Sequence, residues 1–221
     1  MERLLDGIRQ FQREVFPSQK DLFEQLAGGQ SPQALFITCA DSRVVPDLIT
    51  QSQPGDLFIC RNAGNMVPPH GESHQGGVSA TIEYAVVALN VEHVIVCGHT
   101  DCGAMKGILH PELLTEMPRV KNWLSHGELA RTMVKENYPQ LSKEEELLTL
   151  TRENVVAQLE HLHTYPCVAA RLARGKIQLH AWVYNIKTGE VQAWDAHTGK
   201  YVPVGEYTPV RVNSRLHPVA V

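Results

Sequence analysis

Two short apolar runs, each followed at once by a polar loop, constrain this chain more than any other feature. The runs at 34–38 and 93–97 have the length and composition typical of strands buried in a parallel sheet. Cys39 directly follows the first run, and His99 and Cys102 come just past the second. Ligands bind at the carboxyl ends of the strands in open α/β sheets, so we expect two thiols and one imidazole to converge there.

The rest of the pattern predicts an α/β fold with a central, mainly parallel β-sheet flanked by helices. A further strand is expected at 57–61, and a crossover helix between 77 and 89 would complete a right-handed βαβ unit. The segments 178–186 and 191–196 predict a β-hairpin. Helices are expected at 119–135 and, after a capping box that starts at Ser142, at 143–163.

The two ends of the chain differ from its centre. Apolar residues at helical spacing predict an amphipathic helix over 1–16 that Pro17 ends, and its apolar stripe needs cover from this domain or from a neighbouring subunit. Residues 202–221 contain three prolines and little periodicity. We therefore predict a single domain over 1–221, with a helical arm at 1–27 and a C-terminal tail at 202–221.

Composition narrows the class of protein. The chain has 221 residues, of which 43% are hydrophobic and 20% charged, and its formal net charge is −4, which disfavours nucleic acid and anionic membranes as partners. No run approaches the roughly 20 apolar residues that span a bilayer. The first 16 residues mix both charges with apolar side chains, unlike a signal or transit peptide, so we expect a cytoplasmic protein.

The five cysteines point to metal binding, catalysis or simple burial rather than to a disulfide framework. Zinc accepts cysteine sulfur and histidine nitrogen, and Cys39, His99 and Cys102 would supply three ligands and leave the fourth position for water or substrate. The His-x-x-Cys spacing lets one turn present both side chains to one ion. In the alternative interpretation the cysteines are small buried hydrophobes and His99 is an ordinary loop histidine.

Asp41 and Arg43 lie two residues apart in the loop after Cys39, close enough for a two-bond ion pair. The pair is either a surface salt bridge of little energetic value or part of the site. In the second case Asp41 is the fourth zinc ligand or the acceptor that orients the reacting water. Arg43 would decide between these roles by pairing with Asp41.

The motifs taken together resemble the β-class carbonic anhydrases. They are Cys-x-Asp-x-Arg from Cys39, Arg-Asn-Ala-Gly-Asn at 61–65 and His-x-x-Cys-Gly from His99, and the resemblance covers about 30–107 and the hairpin. It implies one zinc ion held by Cys39, His99 and Cys102, with Asp41 and Arg43 as the catalytic dyad. It also implies reversible hydration of carbon dioxide to bicarbonate and a proton. Because Asp41 lies two residues after Cys39, we further hypothesise that it replaces water on zinc at low pH, which gives an inactive state.

The resemblance also implies a substrate pocket. By position, Gln30 would donate a hydrogen bond to bicarbonate from the neighbouring subunit, and Phe58, Ala63 and Tyr84 would form an apolar wall around carbon dioxide. Ala63 is smaller than the aliphatic residue usual there. Phe36 stands where other members have a tryptophan that builds an allosteric bicarbonate site, which favours the plant-like subgroup. Core packing is the alternative for Phe58 and Tyr84.

Assembly and location follow from the same resemblance. It implies an obligate homodimer that assembles to a tetramer, hexamer or octamer, with the N-terminal helix packed on a partner subunit. The overall match is to cyanobacterial carboxysomal members, which implies a place inside a carboxysome, with shell scaffold proteins as partners. There the enzyme would dehydrate bicarbonate and supply carbon dioxide to a carboxylase in photosynthetic carbon fixation.

Three other functions compete with this one. A zinc nucleoside deaminase needs Pro-Cys-x-x-Cys, which the chain lacks. A Cys–His nucleophilic hydrolase stays open because His99 is near Cys102. A zinc-stabilised scaffold or binding protein with a closed four-ligand site also stays open, since a fold does not guarantee activity.

Overall fold

The computed structural model describes residues 1–71 and 76–209. The chain divides into an N-terminal helical unit, Met1–Ser31, and a larger α/β unit that begins at Pro32. The predicted tail is described only as far as 209, so residues 210–221 lie outside the described part. Within that part, none of the helices has both the length and the apolar content needed to cross a bilayer.

Ten α-helices are described in chain order. They are α1 (Glu2–Gln10), α2 (Phe16–Ser18), α3 (Lys20–Ala27), α4 (Pro46–Thr50), α5 (Gly77–Glu83), α6 (Gly103–Leu109), α7 (Pro118–Leu124), α8 (Glu128–Asn137), α9 (Lys143–His163) and α10 (Pro166–Leu172). Wider π-helical turns lie at Phe11–Val15 and Tyr84–Ala88, and 3-10 turns at Ala63–Asn65, Pro111–Leu114 and Ser125–Gly127.

One six-stranded sheet organises the larger unit. Its strands are β1 (Ala34–Cys39), β2 (Leu57–Asn62), β3 (His93–His99), β4 (Gln178–Tyr184), β5 (Val191–Asp195) and β6 (Lys200–Pro203), in the spatial order β2-β1-β3-β4-β5-β6. The strands β1 to β4 are parallel to one another. The strand β5 pairs antiparallel with β4, and β6 pairs antiparallel with β5. The structure confirms the predicted mainly parallel sheet.

The central strands are buried on both faces, as their unbroken apolar sequence requires. On one face, Leu35 and Ile37 of β1 pack with Val155 and Leu162 of α9. On the other, Phe36 packs in a smaller cluster with partners from β2, β3 and β4. Each fully buried side chain of this size contributes about 1.5–3 kcal/mol to folding.

The long helix α9 begins where the sequence predicts. Ser142 Oγ accepts a hydrogen bond from the Glu145 amide at 3.4 Å, and the Glu145 carboxylate accepts one from the Ser142 amide at 2.9 Å. This reciprocal pair satisfies two amides that lack helical partners at a helix start. The predicted capping box is therefore confirmed, and it defines the start of α9. The same helix contacts the loop at Gly64 through Asn154.

Two predicted helices are different in the structure. Pro17 does not end the first helix, because the chain stays helical to Ser18, and the π-turn Phe11–Val15 precedes the proline, which has no amide proton to donate. The helix predicted at 119–135 is split into α7 and α8 by the turn Ser125–Gly127. At Gly127 a β-carbon would lie 2.6 Å from Ile108 Cδ1, so a larger residue there would require the Ile108 side chain of α6 to move.

The sequence predicted no strand after 196, yet β6 pairs with β5, and Val202 lies opposite Ala193. Four residues ending in a proline give too short a pattern to be recognised without the neighbouring strand. The edge position explains why the proline is tolerated.

The N-terminal unit has the predicted amphipathic character. Phe16 and Phe23 stack with ring centroids 5.1 Å apart, and Phe11 packs edge-on against both at 6.1 Å. Leu4 and Ile8 stay exposed in the single chain. Their cover by a partner subunit stays a prediction.

Candidate metal centre

Three potential metal ligands converge at the carboxyl edge of the sheet. Cys39 is the last residue of β1, and Cys102 directly precedes α6. His99 was predicted just past β3 but is its last residue, because the ladder with β4 continues to Tyr184. The ligand atoms of the three side chains all lie within 4.8 Å of one another, and all three residues are buried. No other group of three such residues is close enough for a metal within 1–71 and 76–209.

The geometry fits a tetrahedral zinc ion. The two sulfur atoms are 4.0 Å apart, and Zn–S bonds of about 2.3 Å at the tetrahedral angle place two sulfurs about 3.8 Å apart. His99 Nδ1 lies 2.9 Å from the Thr100 carbonyl oxygen, an acceptor, so Nδ1 carries the proton and Nε2 keeps its lone pair. That Nε2 is buried and has no hydrogen-bond partner among the described residues. A metal ion is the kind of partner such an atom lacks.

The electrostatics of the cluster favour a thiolate at Cys39. Its Sγ accepts a hydrogen bond from the Gly64 amide at 3.5 Å. The contact with the Cys102 thiol, helped by His99 and Gly64, lowers the pKa of Cys39 below its usual range although burial opposes this. Cys39 and burial raise the pKa of Cys102. At Cys97, outside the cluster, burial raises the pKa to about 12, so the low value at Cys39 comes from its neighbours.

Asp41 and Arg43 form the predicted two-bond pair. Arg43 Nε donates to Asp41 Oδ1 at 2.9 Å and Nη2 donates to Oδ2 at 2.8 Å, while the Arg43 amide also donates to Oδ1 at 2.9 Å. Arg43 therefore holds the pKa of Asp41 well below its usual range. Asp41 Oδ2 lies 3.8 Å from His99 Nε2. The carboxylate is thus ionised, fixed and adjacent to the cluster.

Asp101 holds the other side of Arg43, a contact that was not predicted from the sequence. Asp101 accepts from Arg43 Nη1 at 3.1 Å, and its backbone carbonyl accepts from Nη2 at 3.2 Å. Lys106 also donates to the Asp101 carboxylate. Asp101 has a left-handed φ of 58°, which tightens the turn between His99 and Cys102. The position of Asp101 between His99 and Cys102 was the sequence feature that could have indicated this contact.

The loop after β2 wraps the cluster. Asn62 Oδ1 accepts a hydrogen bond from the Met66 amide at 2.7 Å, and Asn62 Nδ2 donates one to the Met66 carbonyl oxygen at 3.0 Å. These two bonds close the loop. Gly64 has φ +80°, and a β-carbon there would lie 2.9 Å from Ala104 Cβ. Glycine is required on both counts, because the left-handed conformation and the close contact disfavour a side chain.

The predicted pocket residues do not all meet in one chain. Ala63 precedes Gly64 beside Cys39, whereas Phe58 pairs with Leu35, four residues before Cys39, which is about 13 Å along the strand. The Phe58 and Tyr84 rings contact each other with centroids 5.8 Å apart. Gln30 belongs to the separate N-terminal unit. The pocket roles of all four stay predictions.

Comparison with known proteins agrees with this geometry. The family model described as carbonic anhydrase matches residues 34–191. A carbonic anhydrase of Synechococcus elongatus is 51% identical over 86% of this chain and 70% of its own length. One from Pseudomonas aeruginosa is 47% identical over 96% of this chain and 95% of its own length.

Solved structures give the same result. The β-carbonic anhydrase CcaA superposes with a TM-score of 0.89 at 49% identity, over 92% of this chain and 98% of that one. A structure described as one of two tetrameric β-carbonic anhydrases from Sordaria macrospora has a TM-score of 0.78 at 28% identity, over 87% of this chain and 95% of that one. The predicted family and enzyme class are confirmed, and this chain belongs to the β-carbonic anhydrases.

Proposed function

We propose that the chain catalyses the zinc-dependent, reversible hydration of carbon dioxide to bicarbonate and a proton. The observation that carries the proposal is the buried convergence of Cys39, His99 and Cys102, with a His99 Nε2 that has no hydrogen-bond partner in the described part of the chain. These three residues would hold one zinc ion per chain. A donor set of two sulfurs and one imidazole with an open position matches a catalytic rather than a closed structural zinc site.

The residues around the cluster would divide the work. Zinc, when bound, lowers the pKa of water from about 15.7 towards 7. Asp41 is held ionised by Arg43 and accepts the hydrogen bond of the reacting water, which turns the oxygen lone pair towards the carbon of carbon dioxide. Arg43 also keeps the carboxylate from the fourth ligand position. Loss of that pairing would give the inactive state predicted from sequence, with Asp41 on the metal.

The apolar pocket would be shared between subunits. Phe58 lies on β2 about 13 Å along the strand from the Cys39 of its own chain. Tyr84, at the start of the π-helical turn after α5, contacts the Phe58 ring and is half exposed. We propose that they line the carbon dioxide pocket of a neighbouring copy, to which Gln30 would also contribute, while Ala63 lines the pocket of its own chain. A homodimer is then the smallest unit with a complete site.

The finer biological role is also a proposal. Similarity to cyanobacterial enzymes supports bicarbonate dehydration inside a carboxysome, with supply of carbon dioxide to a carboxylase and contacts with shell scaffold proteins. Identity to the Pseudomonas aeruginosa protein is nearly as high. Co-purification of the chain with intact carboxysomes tests the role, and its absence from them would exclude it.

The activity test combines zinc content with stopped-flow carbon dioxide hydration at pH 7 and 8.5, for the unaltered protein, Asp41→Asn and Asp195→Asn. Asp195 is a matched control because its carboxylate accepts the amide two residues on at 2.9 Å, as Asp41 does, but at the β5–β6 turn. We expect about one zinc per chain in all three, and hydration that falls about 100-fold only in Asp41→Asn.

Two outcomes would contradict the proposal. Stoichiometric zinc without hydration at either pH would indicate a zinc-stabilised scaffold. A freshly purified, unchelated protein without zinc would overturn the metal site, and the nucleophilic cysteine interpretation would then come first.

A further inference from the structure

The peptide bond between Ala63 and Gly64 is held from two sides. Its amide proton, on Gly64, is donated to Cys39 Sγ at 3.5 Å. Its carbonyl oxygen, on Ala63, accepts a hydrogen bond from the indole Nε1 of Trp123 at 2.8 Å. Trp123 belongs to α7, about sixty residues along the chain from this loop. A side chain from another element is thus connected to the sulfur through one peptide group.

The planarity of that peptide makes the connection rigid. A peptide carbonyl and the following amide share one plane, so fixing the direction of the Ala63 carbonyl also fixes where the Gly64 amide points. A donor on the carbonyl also polarises the amide and strengthens the hydrogen bond that the amide gives. Trp123 therefore affects both the orientation and the strength of the contact with Cys39.

The next carbonyl is held as well. Asn154 Nδ2 of α9 donates to the Gly64 carbonyl at 3.3 Å, and Asn154 Oδ1 accepts from Gln158 Nε2 at 2.9 Å. Gln158 Oε1 in turn accepts from the Val67 amide at 2.7 Å. Asn154 and Gln158 are almost completely buried. The carbonyls of Ala63 and of Gly64 itself thus each accept a hydrogen bond from a side chain. These two bonds help to maintain the left-handed backbone that turns the Gly64 amide towards the sulfur.

We propose that Trp123, together with Asn154, is a positioning residue for the metal-site thiolate. The inference rests on the proposed function, since it concerns the sulfur that would bind zinc. A hydrogen bond to a coordinating thiolate withdraws electron density from sulfur, so it sets how strongly sulfur donates to the metal. Outer partners of metal ligands typically change metal affinity about 10–100-fold when they are removed.

The experiment uses cobalt(II) in place of zinc, because sulfur-to-cobalt charge transfer reports on the thiolate directly. Trp123→Phe removes the indole donor and keeps an aromatic ring. Trp182→Phe is the matched control, since the buried Trp182 Nε1 has no acceptor among the described residues. We expect Trp123→Phe alone to shift the charge-transfer bands to longer wavelength. Chelator competition should show metal affinity about 10-fold weaker in that variant, because the loss of the fixed Gly64 amide leaves Cys39 less well oriented, and this outweighs the stronger donation by its sulfur.

A second variant guards against a folding defect. Asn154→Ser removes the donor to the Gly64 carbonyl, and we expect it to shift the bands in the same direction. Circular dichroism of each apoprotein shows whether it folds; if Trp123→Phe does not, Asn154→Ser and Trp182→Phe decide. Unchanged bands and affinity in a folded variant would overturn the inference while leaving the metal site intact. An unaltered protein without thiolate bands would instead refute the proposed metal site.

Discussion

A buried histidine at the far end of the sheet allows a quantitative prediction of acid stability. His180 of β4 is 5% exposed. Its Nε2 lies 3.1 Å from His93 Nδ1, and its Nδ1 lies 3.0 Å from the Tyr207 hydroxyl. Burial, and then the neighbouring His93, lower the pKa of His180 to about 4. The folded protein therefore keeps this imidazole neutral well below the pH at which an unfolded chain would protonate it.

The sign and size follow from proton linkage. Histidine in an unfolded chain titrates near pH 6.5. Between pH 6.5 and 4, His180 is therefore mostly protonated in the unfolded chain and mostly neutral in the folded one. The stability contribution is complete above pH 6.5 and is lost as the pH falls through 4. With these two pKa values, the free energy of unfolding falls by about 2 kcal/mol between pH 8 and pH 5, and by about 3 kcal/mol at pH 4.

The assay is urea unfolding of the unaltered protein and of His180→Gln at pH 8 and pH 5, at one protein concentration and one zinc concentration. Glutamine keeps a polar side chain but does not titrate. Other titrating groups, including any metal ligands, are shared by both proteins, so only the difference in pH dependence is compared. We expect the unaltered protein to lose about 2 kcal/mol more than the variant. Equal losses would refute the reasoning.

Three further predictions concern the site and its supporting helix. Cys39→Ser should lose zinc and carbon dioxide hydration together, whereas the control Cys167→Ser should keep both. Metal analysis and stopped flow measure the two properties, and zinc retained by Cys39→Ser would contradict the ligand set. Arg43→Lys keeps the charge but not the two-bond fork to Asp41, so hydration should fall about 10-fold with zinc unchanged, and full activity would argue against the dyad. Ser142→Ala should cost about 1 kcal/mol in urea unfolding, and no change would mean that the capping box does not stabilise α9.

The sequence predicts the convergence of Cys39, His99 and Cys102 because its information is local. Cys39 and His99 are placed by the lengths of two apolar runs, and Cys102 by one turn after the second run. In a parallel sheet the shared edge then brings these residues together. The only displacement was His99, which the ladder with β4 draws into the end of β3.

The sequence could not predict features that depend on tertiary contacts. The turn that separates α7 from α8 lies where Gly127 comes close to Ile108 of α6, and β6 is defined by its pairing with β5. Trp123 and Asn154 belong to no sequence motif, because their role depends on hydrogen bonds to the carbonyls of Ala63 and Gly64. A tryptophan and an asparagine on amphipathic helices are otherwise indistinguishable from packing residues.

This contrast suggests how the chemistry of the site is divided. In the proposed site, the strand ends supply the three candidate ligands, and so would determine which metal can bind. The helices α7 and α9 hold the backbone around Gly64, and so determine how the Cys39 sulfur is hydrogen bonded. A relative with the same ligands but a different residue at position 123 would therefore bind the same metal with a different donor strength. The reactivity of water at the site would change without any change in the ligands.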